Sequence, residues 1–149
     1  MDIIEYITYD KKDELIKYLK ACEWGASKFL AQLITEQTFE EMLGKDGKVY
    51  FLMDQEKVAA FLTLTQKDCI DENSLFPWIG FVYTDPTYRG HRYSGKLIQH
   101  ALKVAKEQGY EKVYLATDHV GLYEKYGFEY VENRMDVWNE ESRIYSIHL

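Results

Sequence analysis

Apolar and polar positions along the chain fall into segments of two periods. Ile3 to Ile7 alternates and reads as a short strand. Asp10 then stands where a helix N-cap is expected, with Asp13 three residues on, and Leu15, Ile16 and Leu19 form an apolar face. A second helical stretch is expected over roughly Ser27 to Leu43, with Phe29, Leu30, Leu33 and Ile34 on one side, and the CEWG connection before it carries Trp24. After a turn at Lys45–Lys48, the runs Val49–Met53 and Val58–Thr65 flank a polar turn and predict an antiparallel hairpin.

Gln66 to Phe76 is a polar loop without periodicity. The run Trp78–Tyr83 is apolar at nearly every position, as expected for a central strand buried on both faces. A long amphipathic helix follows, with Leu97, Ile98, Ala101, Leu102 and Ala105 on one stripe and Gly109 as its stop. Lys112–Thr117 predicts another strand, a short helix around Leu122–Tyr126 ends at Gly127, and two last strands are expected near Phe128–Val131 and Arg143–Ile147. A hairpin combined with a strand–helix–strand crossover predicts an α/β fold of the α+β kind, a mixed sheet with helices on both faces.

Composition narrows the function classes. At 149 residues the chain is expected to form one domain, residues 1–149, large enough to bury a core without staples. The net charge of −7 speaks against nucleic acid or an anionic membrane as partner and suits a cationic substrate. Cys22 and Cys69 have neither metal-ligand spacing nor a disulfide framework, which fits a reducing compartment. The first residues carry acids, unlike a signal peptide, and no apolar run is long enough to span a membrane, so a cytoplasmic protein is expected.

Candidate chemistry concentrates between Pro77 and Leu102. An apolar strand stops at Asp85-Pro86, and the loop Arg89–Lys96 (RGHRYSGK) opens the long helix. Basic residues at a helix N-terminus oppose its dipole, whereas a bound phosphate there is favoured by the free N–H groups of the first turn. A nucleoside-triphosphate loop is excluded because Gly95-Lys96 is followed by Leu97 with the wrong upstream glycine spacing, and no three-glycine dinucleotide fingerprint is present.

The segment Thr84-Asp85-Pro86-Thr87-Tyr88-Arg89-Gly90-His91-Arg92-Tyr93-Ser94, running into Gly95-Lys96-Leu97, resembles the acyl-CoA-binding motif of the GNAT superfamily of N-acyltransferases. Leu122-Tyr123-Glu124-Lys125-Tyr126-Gly127-Phe128 is similar to that family's second signature, at the expected separation. Arg92 and Ser94 depart from the motif, standing where glycines are usual, and the Asn that often precedes the tyrosine signature is missing from Ala116–Val120. The resemblance covers essentially the whole chain and implies a central mixed, mostly antiparallel sheet of about seven strands.

By that resemblance, acetyl-CoA would be the co-substrate, with no metal. It would lie in a cleft where the Trp78–Tyr83 and Lys112–Thr117 strands splay apart, backbone groups near Val82, Tyr83 and Thr84 would pair with its pantetheine arm, and the loop residues Arg89, Gly90, His91, Arg92, Tyr93, Ser94, Gly95 and Lys96 would hold its diphosphate. Tyr123 matches the family's general acid for the departing CoA thiolate. Asp118 and His119, directly after a strand, are base candidates, and Glu23, Asp68, Asp71 and Glu72 lie on loops that could reach the acceptor side. Trp24 and Trp78, with Phe29 and Tyr83, are candidates for the acceptor pocket, against ordinary core packing for Phe29 and Trp78. The expected activity is acetyl transfer from acetyl-CoA to a primary amine of a small molecule. The alternative is an acyl-CoA-binding module without catalysis, used in sensing or assembly. No nucleic-acid or membrane partner is expected, and a homodimer is left open.

Overall fold

Strands that carry apolar side chains at successive positions need cover on both sheet faces, and the chain supplies it. A computed structural model describes residues 1–149. Strands β1 (Asp2–Glu5), β2 (Lys48–Asp54), β3 (Lys57–Thr65), β4 (Trp78–Thr84), β5 (Lys112–Thr117), β6 (Glu129–Met135) and β7 (Glu141–His148) form one seven-stranded sheet in the order β1-β2-β3-β4-β5-β7-β6. Every neighbouring pair is antiparallel except β4–β5. The mixed, mostly antiparallel seven-stranded sheet is the fold expected from the sequence. No helix is long and apolar enough to cross a membrane.

Strand β2 shows how both faces are filled. Val49, Phe51 and Met53 pack with Leu15, Ile16 and Leu19 of α1 (Lys12–Ala21) and Leu30 of α2 (Gly25–Thr35). The alternating residues Tyr50 and Leu52 belong to the other core, with Leu97, Ile98 and Ala101. The expected helix Ser27–Leu43 is in fact two, α2 and a short α3 (Phe39–Leu43). Between them Gln37 takes a left-handed φ of 59°, and the Thr38 N–H bonds back to the Leu33 carbonyl (2.9 Å), a Schellman-type stop built without glycine. Asp10 does not cap α1, whose N-cap is Lys11 with no side-chain hydrogen bond; Asp13 and Glu14 supply the favourable charge of its first turn instead. The long helix α4 (Tyr93–Glu107) ends as expected, with Gly109 left-handed at φ 91°.

Strand β4 departs from the expected doubly buried strand. Only Trp78, Ile79 and Gly80 are buried, and residues 81–84 are half-buried. The parallel ladder to β5 holds only Trp78↔Tyr114 and Ile79↔Leu115, while β5 stays paired with β7 along Lys112–Thr117. On the other side the β3–β4 register slips between Phe61 and Thr63, and Phe81 takes φ 50°, so a bulge bends the strand. Beyond Ile79 the edge of β4 that faced β5 is therefore open, and its peptide groups look into a cleft.

Candidate active site

One half of this cleft is backbone. Asp85 directly follows β4, and its carboxylate accepts hydrogen bonds from the Tyr18 hydroxyl (2.7 Å), the Thr87 N–H (3.0 Å) and the Thr87 hydroxyl (2.6 Å). That anchors the strand end before the loop turns. Arg89 folds back, its Nε donating to the Thr84 carbonyl (3.1 Å) and its guanidinium lying 5.6 Å from the Tyr83 ring centroid. Gly90, His91 and Arg92 are exposed, Tyr93 and Ser94 half-buried, Gly95 buried and Lys96 exposed. His91 stacks on Tyr93 at 5.3 Å, and the Lys96 ammonium sits 5.4 Å from the same ring. No side chain caps the start of α4; the Gly95 N–H already donates to the Arg92 carbonyl (3.1 Å), which leaves the Tyr93 and Ser94 N–H groups to a ligand or water. Arg92 occupies the N-cap in a left-handed conformation, φ 58° and ψ 33°. Glycine reaches that region without a Cβ penalty, which explains why the resembling motif carries glycine there and what the arginine has to tolerate.

The second signature lies against the first. Arg92, at the N-cap of α4, and Gly95 and Gln99 within it face Leu122, Lys125 and Tyr126 across a groove. A Cβ on Gly95 would come within 2.7 Å of the Tyr126 ring, so this close approach needs glycine. The 3₁₀ turn Tyr123–Tyr126 is braced by Glu124, whose carboxylate accepts from the Gly121 N–H (3.1 Å) and the Tyr145 hydroxyl (3.2 Å). Tyr126 lines the groove. Tyr123 does not; it is 7% exposed and packs edge-on to Phe128 with centroids 6.3 Å apart. Burial, with smaller contributions from Tyr126 and Asp118, pushes the Tyr123 phenol up to about 12, so it holds its proton throughout the neutral range. An open strand edge, an uncapped helix start in a cationic loop and a groove between the two signatures fit a thioester carrier with a diphosphate.

The other half of the cleft is side chains. A cavity of about 350 Å³ opens on the α1–α2 side of β4, walled by Trp24, Phe29, Met42, Phe81 and Trp138. Trp24 stacks on Tyr83 at 5.3 Å and 8°, and Trp138, on the β6–β7 turn, meets Phe29 edge-on at 5.9 Å. The Val137 N–H donates to the Cys69 carbonyl (2.8 Å), tying that turn to the loop before β4. Trp78 is not part of this cavity. It is fully buried between Ile70 and Ile144, with Nε1 bonded to the Leu75 carbonyl (2.8 Å), because its alternation on β4 turns it into the core. Asp118 and His119 project into solvent on the loop after β5, with side chains 90% and 65% exposed, and Asp118 does not cap the 3₁₀ turn, whose N-cap is Leu122. Glu72 is paired with Arg134 at 3.0 Å.

Asp68 is the carboxylate the structure singles out. Residual exposure of the residue coexists with a fully buried Oδ1 that has no hydrogen-bond partner. It lines the aromatic cavity and presses on β4 so closely that a Cβ on Gly80 would collide with Oδ1. Burial pushes its pKa up to about 6, against the downward pull of the Cys69 N–H and thiol. In the sequence Asp68 is one of several loop carboxylates, indistinguishable by spacing. The signal that marks it is on another element: an isolated glycine in the bulky strand WIGFVYT announces a close approach at residue 80.

A model of the acetyltransferase (GNAT) family matches residues 13–128. No curated protein sequence matches the chain. Solved structures do. An acetyltransferase from Streptococcus agalactiae aligns with a TM-score of 0.69 at 21% identity, covering 99% of this chain and 98% of its own. A GNAT family acetyltransferase from Elizabethkingia anophelis with acetyl-CoA bound gives 0.66 at 14% identity over 99% and 97%. An aminoglycoside 6'-N-acetyltransferase complexed with coenzyme A gives 0.69 at 15% identity over 99% and 97%. At these identities the likeness is one of fold.

Proposed function

The chain belongs to the acetyltransferase (GNAT) family, and from that premise we propose that it transfers the acetyl group of acetyl-CoA to a primary amine of a small molecule by direct attack. The observation that carries this reading is the open edge of β4 beside the uncapped, cationic start of α4. Acetyl-CoA supplies the thioester. The peptide groups at Val82, Tyr83 and Thr84 align its arm as an added strand would be aligned, and the free N–H groups between Gly90 and Ser94 receive its diphosphate beside the Arg92 and Lys96 cations. The amine arrives from the α1–α2 side and attacks the carbonyl carbon as the C–S bond breaks. The Tyr123 hydroxyl, protonated at neutral pH, donates to the departing sulfur. A thiolate of ordinary basicity is a weaker base than this phenolate, so Tyr123 acts first as a hydrogen-bond donor to developing charge, and it is reprotonated from solvent once sulfur has taken the proton. An amine acceptor is also named for the solved aminoglycoside N-acetyltransferase that shares the fold.

The test is a thiol-release assay with purified protein, acetyl-CoA and a panel of amines, run beside calorimetric titration with acetyl-CoA. Amine-dependent thiol release with saturable binding is the expected result. Saturable binding with no release from any amine would leave an acyl-CoA-binding module and overturn the catalytic reading.

A further inference from the structure

The cavity beside β4 has a composition that selects its ligand. Its walls are aromatic or aliphatic, contributed by α2, α3, the β4 bulge and the β6–β7 turn, and it holds about 350 Å³. Asp68 lines it, and the inner oxygen of that carboxylate, Oδ1, is closed off against Gly80 with no hydrogen-bond partner. Burying a carboxylate oxygen unpaired is costly, and the fold accepts a glycine at position 80 to admit it. Such a group, at the point where the β4 edge opens, is placed for a cation brought by a ligand. The other ionisable groups lining the cavity, Glu41, Lys67, Cys69 and Asp71, include a cation that opposes the rim acids, and Glu41, Lys67 and Asp71 are exposed, where their fields are screened.

We propose that the acceptor is a monoamine with a flat aromatic or short alkyl body, seated between Trp24, Phe29, Phe81 and Trp138, with its ammonium paired to Asp68, which takes the proton that must leave before nitrogen attacks. This rests on the acetyl-transfer reading for its chemistry, not for the binding itself. The step balances. The ammonium gives one proton to Asp68; nitrogen bonds to the carbonyl carbon while the C–S bond breaks; sulfur leaves as the thiol with the Tyr123 proton. The excess proton on nitrogen passes to solvent, Tyr123 regains one from solvent and Asp68 releases its own, for a net yield of acetamide, free CoA and one proton. A second ammonium on the same ligand would meet apolar walls, because the cavity has no second buried carboxylate. Trp24 and Trp138 add cation–π and stacking contacts suited to a planar body.

Amine binding is measured first without acetyl-CoA, by calorimetry with 2-phenylethylamine, hexylamine, spermidine and kanamycin at fixed ionic strength. The expected result is saturable binding of the first two, at least tenfold tighter than the polyamines, and at least tenfold weaker in Asp68→Asn. Trp138 is exposed, so Trp138→Ala leaves the core intact; it should weaken 2-phenylethylamine about fivefold and leave methylamine unchanged. Preference for the polyamines, or equal monoamine binding in wild type and Asp68→Asn, would overturn the proposal. Because these titrations need no thioester, they decide the acceptor even if acetyl-CoA fails to bind, which would instead sink the acetyl-transfer reading. With turnover established, kcat/KM for 2-phenylethylamine should show a limb rising through about pH 6 in the wild type that is absent in Asp68→Asn, a change that a purely structural aspartate would not produce.

Discussion

On the α4 side of the cleft the protein offers backbone: the open edge of β4, the uncapped first turn of α4 and a glycine that lets Tyr126 close in. On the α1–α2 side it offers side chains: Trp24, Phe29, Phe81, Trp138 and a carboxylate with one unpartnered oxygen, gathered from separate elements. The two sides meet at the β4 bulge, where Phe81 lines the cavity and Gly80 carries Asp68 against it. A backbone site recognises what every acyl-CoA shares, so it can recur with little change. A side-chain site recognises one acceptor and is free to differ. Mutations on the two sides should therefore separate cleanly in binding experiments.

The largest expected effect belongs to Asp68. Asp68→Asn should lower kcat/KM for the preferred amine by about 10²–10³-fold while the acetyl-CoA Kd stays within about twofold. The same change should stabilise the fold. The Asp68 pKa is raised from 3.8 to about 6 by burial, so the native state binds its proton more tightly than the unfolded chain does. Its contribution is favourable below pH 4, is lost as pH rises through about 6, and leaves a net cost at pH 7. Removing the charge should gain about 1–3 kcal/mol at pH 7 and almost nothing at pH 4, read as the difference between variant and wild-type denaturation curves. Loss of stability at pH 7 would mean that Asp68 holds the loop rather than a ligand.

Tyr123→Phe comes next, on the same bond but from the cofactor side. It should lower kcat about 10²-fold with both Kd values unchanged, since the ring packs on Phe128 and only the hydroxyl is lost. A drop in acetyl-CoA affinity with unchanged kcat would make it a binding residue. Smaller again is Gly95→Val. A side chain there meets Tyr126, so α4 and the 3₁₀ turn must separate, and acetyl-CoA should bind about tenfold more weakly while 2-phenylethylamine binding is untouched. Equal losses for both ligands would erase the distinction between the two sides.

The same difference governs what the sequence discloses. The strands and the mixed sheet are readable because strands such as β2 and β3 fill both cores with apolar residues and the turn between them is local. The candidates for the cofactor side stand out in the sequence because they are contiguous, one loop and one signature. The split of Ser27–Leu43 into α2 and α3 is not, since Gln37 rather than glycine takes the left-handed stop. The opening of β4 from β5 is implied by the family resemblance but not by the residues themselves, because the bulge at Phe81 is an outcome of pairing register with β3. Asp68 becomes distinct from Asp71 or Glu72 only when tertiary structure buries one oxygen and leaves another carboxylate paired with Arg134. Trp138, in the turn that follows a largely exposed strand, carries no periodicity that would link it to Phe29.

The finest test of the backbone side is Arg92→Gly. The left-handed φ of 58° costs a non-glycine residue about 1 kcal/mol in the folded state. Glycine removes that cost but adds about 0.4–1 kcal/mol of conformational freedom to the unfolded chain, so the net change in stability should be under about 1 kcal/mol. If the diphosphate is held by N–H groups, acetyl-CoA affinity should change less than about threefold, and the slope of log Kd against log salt should flatten slightly as one exposed cation is lost. A fall of tenfold or more would instead assign the guanidinium a direct charge-assisted bond to phosphate. In that case the arginine would be a side-chain contact on the side of the cleft that otherwise works through backbone, and the departure from glycine at this position would mark a cofactor contact specific to this chain.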